Sequence, residues 1–207
     1  YFAETSLFTS SAIMMGWLGK VELAAHGITM QLAGLTFMFH VGLSQASTTL
    51  VGNSYGEKQD KIKLINIAKA TLLLTTFYAF IVICLFVTFP EFLLSLFLDK
   101  KIDSSNEIIN LAVLLLMFAA IFHLVDGLQA SGLGLLRGIQ DVQIPFLLAL
   151  ISYWIFGIGS GYILGFIFNI GSIGIWLGMV IGLTFASISL ILRFYLKINS
   201  INFTDKF

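Results

Sequence analysis

Asp126 is the only charged residue between Ile108 and Arg137, a run long enough to cross a lipid bilayer. At 1.5 Å per helical residue it lies about 16 Å from Arg137, near the middle of a hydrocarbon core about 30 Å thick. A carboxylate at that depth costs at least about 2.5–3.5 kcal/mol on insertion scales, so it faces protein or water and marks a path for ions, protons or substrate. His123 comes three residues earlier and Gln129 three residues later, which at helical spacing puts three polar groups on one stripe, with Ala119 and Ala130 close by. Such a stripe can bind a cation, relay a proton, or do no more than satisfy its own hydrogen bonds.

Glu4 raises the same question, because it is the only charge in the first apolar segment and lies about 24 Å from Lys20 along a helix. Hydroxyls follow it at Thr5, Ser6, Thr9, Ser10 and Ser11. Two carboxylates within a membrane bundle can hold sodium through hard oxygen ligands, or exchange protons, and either chemistry drives coupled transport. Near the start of the chain, Glu4 can also be read as a solvated residue at the mouth of a pathway. His26 and His40 stand singly in the second segment and read as hydrogen-bonded structural side chains. No nucleophile with its base, phosphate-cradling glycine loop or HExxH pattern occurs, so an enzyme is not expected.

The elements that must carry these residues are membrane helices. Hydrophobic residues make up 58% of the 207 residues and charged ones 11%, against about 25% charged in soluble domains, and the mean hydropathy is +0.97. With 11 basic and 11 acidic residues there is no field suited to gripping nucleic acid. The single cysteine, Cys84, excludes an internal disulfide or a thiolate metal cluster and reads as a small buried hydrophobe. The start of the chain has neither the basic segment nor the cleavage site of a signal peptide, and a segment already apolar at Phe2 reads as cut from something longer.

Six apolar stretches, at about 2–18, 24–52, 64–89, 108–135, 145–168 and 173–196, predict an all-α bundle of six transmembrane helices forming one domain over 1–207. Pro90 ends one helix and Pro145 sits near the start of another. The stretch SLFLDKKIDSSNE within 90–107 reads as an exposed loop. Eight of the basic residues fall in the segments 53–69, 136–144 and 193–207, and three (Lys20, Lys100, Lys101) fall on the other side. The richer side, with both termini, is therefore expected to be cytoplasmic. Small residues recur every fourth position at Ser44, Thr48, Gly52 and Gly56, at Gly157, Gly161 and Gly165, and at Gly174, Gly178, Gly182 and Ala186, a spacing that lets helix backbones approach closely.

Several stretches resemble the multidrug and toxic compound extrusion family over the whole chain: GWLGKVELAAHGIT (16–29) with GLSQASTTLVGNSYGEKQ (42–59), LQASGLGLLRGIQDVQIP (128–145), and YWIFGIGSGYILGF (153–166) with GIWLGMVIGL (174–183). The glycine-rich piece through Arg137, Gly138, Asp141 and Pro145 is the most specific. The resemblance implies the second six-helix lobe of a two-lobed, twelve-helix antiporter of the inner membrane. That antiporter exports organic, often cationic compounds against sodium or protons, with no other cofactor, and its first lobe is not in this chain. It also implies that Glu4 and Asp126 take the places of a glutamate and an aspartate that contribute to the family's cation site. His123 and Gln129 are accessory polar candidates. Phe122 stands where some relatives carry a tyrosine one turn before the aspartate, which removes one hydroxyl. A flippase for lipid-linked saccharides shares the fold but would need several basic residues for phosphates. A six-helix channel or structural subunit is the third reading.

Overall fold

The computed structural model describes residues 2–57, 61–97 and 105–200. These form seven helices: α1 (Phe2–Leu18), α2 (Lys20–Gly56), α3 (Lys61–Thr88), α4 (Pro90–Ser95), α5 (Ser105–Gly138), α6 (Gln143–Ile167) and α7 (Ser172–Ser200). Six of them follow the six apolar stretches. Four, namely α3, α5, α6 and α7, are long and apolar enough to cross a membrane by length and composition. Helix α1 has 17 residues, and α2 dilutes its apolar length with histidines, serines and threonines, several of them buried. Lys58, Lys100, Lys101 and Lys206, which enter the orientation argument, lie outside the described residues.

Ahead of the stretch read as an exposed loop, Pro90–Ser95 is a short helix with Pro90 in its first turn and with Leu93 and Leu94 buried. A proline is tolerated there because the first N–H groups of a helix have no intrahelical acceptor. Cys84, read as buried, is exposed on α3 beside the apolar and exposed Phe77, Phe80, Ile81 and Leu85. In a lipid-facing helix, apolar character reflects the surrounding hydrocarbon, so it does not report burial against protein.

Helix α5 packs against α2, α3 and α7, and α7 also covers α6. What brings the backbones together is the small-residue stripes. A Cβ at Gly182 would lie 2.6 Å from the Gly157 Cα, one at Gly174 would lie 2.5 Å from the carbonyl carbon of Leu164, and one at Gly178 would fall on the backbone of Gly161. The two glycine stripes therefore meet each other, and α6 and α7 run antiparallel with backbones in contact. Along α2 and α5, Ser44 Oγ donates to the Ala130 carbonyl (2.7 Å) and Thr48 Oγ1 to the Gly134 carbonyl (2.9 Å), while a Cβ at Gly138 would fall 2.6 Å from Val51 Cβ. Positions rise together on both helices, so α2 and α5 run parallel. In lipid, which is as apolar as the side chains, such contacts and interhelical hydrogen bonds hold helices together.

The turn after α5 is pinned at its tip. Gln140 takes a left-handed conformation (φ 62), and the Asp141 carboxylate accepts two hydrogen bonds from Arg193 on α7, at 2.7 and 3.1 Å. A paired fork of this kind fixes direction as well as distance. It anchors the junction of α5 and α6 to α7.

Candidate functional site

The buried interior falls into two apolar clusters, one around Leu115, Phe122, Met179 and Trp176, the other around Leu64, Leu135, Leu190 and Phe194. Between their α5 contributions lies a polar layer in which His123, Asp126, Gln129 and Ser131 are all at most 2% exposed. Helix α5 is apolar above and below this layer because it crosses both clusters. Its polar residues must be answered by neighbouring helices, since an unpaired polar group in an apolar interior is costly.

The neighbours divide the stripe in two. His123 turns toward α2, where its Nε2 is 3.1 Å from Nε2 of the buried His40 and its Nδ1 is 3.5 Å from Thr36 Oγ1. Tyr78 of α3 closes this side by donating its hydroxyl hydrogen to the Thr36 carbonyl (3.1 Å) and by standing edge-on to His40. His40, read from sequence as an isolated structural side chain, is thus the partner of His123. His26 is in hydrogen-bond range of Ser11 Oγ at 3.4 Å and lies edge-on to Trp176.

Gln129 turns the other way. Its Nε2 donates to the Tyr153 hydroxyl of α6 at 2.5 Å, and its Oε1 is buried with no protein partner. Asp126 Oδ1 is likewise buried and unpartnered. Glu4 of α1 is half-buried and within electrostatic reach of both Asp126 and Tyr153. The structure therefore brings Glu4, Asp126 and Gln129 together, and it directs His123 to a separate network.

Two cavities adjoin this carboxylate region. A cavity of about 180 Å³ is lined by Glu4, Arg137, Asp141, Phe146 and Tyr153 among others. A smaller one, about 30 Å³, is lined by Glu4, Ser44, Gln45, Gln129 and Arg137 among others. Glu4 and Arg137 are common to both, and Arg137 acts electrostatically on Glu4. Glu4 and Gln129 line the smaller cavity and Glu4 and Tyr153 the larger, and carboxylate and amide oxygens are the hard donors that suit an alkali cation. Among the described residues no three His, Cys, Asp or Glu side chains converge as a metal-binding group.

Tyr153 and Arg137 are the site residues that the sequence did not single out. Phe122, where some relatives carry a hydroxyl, packs instead in the apolar cluster against Phe8 and Trp176. The hydroxyl near the carboxylates comes from Tyr153, on another helix. A tyrosine in an otherwise apolar span was a signal. Its direction was hidden because α6 changes to π-helical turns at Ser152–Gly159 and Ile163–Ile167, which break the ordinary register and occur often at functional sites.

The family profile described as MatE matches residues 1–163. The chain belongs to the MatE family. A probable multidrug resistance protein NorM of Agrobacterium fabrum is 43% identical over 199 residues, covering 95% of this chain and 42% of that protein. The protein of the same name from Rhizobium meliloti is 40% identical over 193 residues, covering 93% and 41%. This MatE chain thus spans under half the length of the curated relatives it matches. Solved structures agree on the fold: a MATE in the straight conformation superimposes with a TM-score of 0.86 at 18% identity, covering 96% of this chain and 43% of that one. An inward-facing multidrug resistance MATE family transporter gives 0.83 at 21% identity, covering 96% and 44%.

Proposed function

We propose that this MatE chain is the C-terminal six-helix lobe of a cation-coupled antiporter of the inner membrane. It acts with an N-terminal six-helix half to export organic, often cationic compounds, and a sodium ion or proton exchanged at Glu4 and Asp126 drives the export. The observation that carries this reading is the Asp126 carboxylate, deep in α5 with Oδ1 unpartnered and with Glu4 in electrostatic reach. A buried carboxylate oxygen without a partner is costly, and a bound cation or proton removes that cost. Alternating access then follows when occupancy of the pair favours one arrangement of the two lobes, because a ligand shifts an equilibrium by its differential affinity for the two states. The NorM relatives are named for multidrug resistance, which supports organic substrates. A saccharide flippase is disfavoured: the cavities beside the carboxylates set Arg137 against Glu4 and Asp141, a poor lining for phosphates.

A double-mutant cycle tests the shared site. In the complete transporter, reconstituted in proteoliposomes, Glu4→Gln and Asp126→Asn are each expected to impair coupled efflux of ethidium, and the double variant to cost little more than the worse single one. Carboxylates that act on one cation behave as a unit. Free-energy costs that simply add would show two independent groups and remove the shared site.

In this reading the basic-rich ends of the helices lie in the cytoplasm. Single cysteines at Lys63 and Gln140, in a Cys84→Ala background, are expected to resist an impermeant thiol reagent applied to intact cells and to react in inverted vesicles. Both parent side chains are exposed in this chain. Labelling from outside would reverse the orientation.

A further inference from the structure

We infer that a groove between α6 and α7, at the end of the lobe where α6 begins and α7 finishes, binds an anionic phospholipid, with Arg193 and Lys197 holding its phosphate and the apolar walls an acyl chain. The groove shares no lining residue with the two cavities beside the carboxylates. The inference therefore goes beyond the transport reading and does not depend on the coupling ion or the exported compound.

The glycines that let α6 and α7 touch end at Gly157 and Gly182. Beyond them the helices leave a groove of about 480 Å³, walled by Ile144 and Leu148 of α6 and by Leu192 and Leu196 of α7. Helix α7 sets its cations in the same wall, because Arg193 and Lys197 are one turn apart and each follows a leucine of the groove. The 29 residues of α7 measure about 43 Å against about 30 Å of hydrocarbon, so its last turns stand at the headgroup boundary. There the long stems of Arg193 and Lys197 lie along apolar surface while their charges reach the phosphate layer.

Asp141 orients Arg193 without covering it. The carboxylate takes hydrogens from Nε and Nη2, leaving the other N–H groups of the guanidinium unused there. Asp141 is also the more buried partner, 10% exposed against 23% for Arg193, and it lines the larger carboxylate cavity, not the groove. The ion pair is neutral as a whole, so Lys197 supplies the net charge that selects an anionic headgroup. Ser189 and Ser200 also line the groove, but their hydroxyl hydrogens go to the carbonyls of Ala186 and Lys197. The start of α6 adds positive potential, since its N-cap Val142 makes no side-chain hydrogen bond and the first N–H groups carry the positive end of the helix dipole. Basic pockets between helices at the cytoplasmic face hold acidic headgroups in this way. An acyl chain along the groove buries apolar area that a free phosphate lacks.

The test is native mass spectrometry of the complete transporter titrated with phosphatidylglycerol or phosphatidylcholine. The parent is expected to retain phosphatidylglycerol in preference, and Lys197→Gln to weaken its binding about fivefold, the effect of one basic side chain near an anionic headgroup. Lys63→Gln, which removes an exposed lysine at the same end of the lobe but outside the groove, should leave the affinity unchanged. Lys197→Gln at the parent affinity, or an equal loss in Lys63→Gln, overturns the inference, the second by showing unspecific attraction to charge. Equal retention of the two lipids by the parent overturns it too, and so does displacement of phosphatidylglycerol by excess inorganic phosphate, which would show an anion site without an acyl chain. Arg193→Gln would also break the fork to Asp141, so Lys197→Gln, at an exposed side chain, carries the decision. A photoreactive benzoylphenylalanine in place of Leu196 is expected to cross-link to phosphatidylglycerol in membranes. A cross-link to another segment of the transporter or to a second copy would show that protein covers the groove and would remove the lipid site.

Discussion

Asp126→Asn is expected to reduce coupled efflux by the complete transporter to the level of vesicles without protein, while leaving the protein folded. The amide preserves the volume of a side chain that is 2% exposed and can still hydrogen-bond, but it carries no charge and exchanges no proton. Folding should not suffer, because the parent carboxylate is the costly state: its Oδ1 is buried without a partner, and a neutral group in the same place has less desolvation to overcome. The effect therefore falls on transport alone. Drug accumulation in cells and sodium- or pH-driven efflux in proteoliposomes measure it, with melting temperature in detergent as the control for folding. Efflux at the parent level and equal expression would show that Asp126 is a structural carboxylate.

The largest effect on stability is expected at Gly178. A Cβ there would meet the backbone of Gly161 and lie 2.9 Å from the Gly157 carbonyl oxygen, and backbone cannot rotate aside as a side chain can. Gly178→Ala must push α6 and α7 apart along the whole stripe, loosening the matched contacts at Gly182 with Gly157 and at Gly174 with Gly165. Overpacking of this kind costs about 1–3 kcal/mol, and Gly178→Leu is expected to yield no folded protein. The matched control is Gly34→Ala in α2, where a Cβ has nothing within 4 Å and the exchange should be neutral or raise helix stability by up to about 1 kcal/mol. Melting of Gly178→Ala together with Gly34→Ala in detergent would show that the helices do not meet there.

The membrane setting, the six helices and the need to shelter Asp126 from lipid were legible in the sequence because each is a property of one segment. Hydropathy over twenty residues reports the solvent of a helix whatever it packs against, and a charge in mid-span is costly in any arrangement. The small-residue stripes also announced close packing, since spacing of four places Gly174, Gly178 and Gly182 on one face irrespective of the partner. The sequence did not show which stripe met which.

The tertiary structure alone decided the partners. His123, Asp126 and Gln129 share a helical stripe, yet His123 pairs with His40 of α2 and Gln129 with Tyr153 of α6, because neighbouring helices approach α5 from different sides. Tyr153 reaches Gln129 across 24 residues of sequence, in a helix whose π turns displace its faces from where regular periodicity would put them. A linear pattern specifies what a helix offers and at what depth. Which offers meet depends on crossing points, register and local winding, and these are settled only when all the helices pack at once.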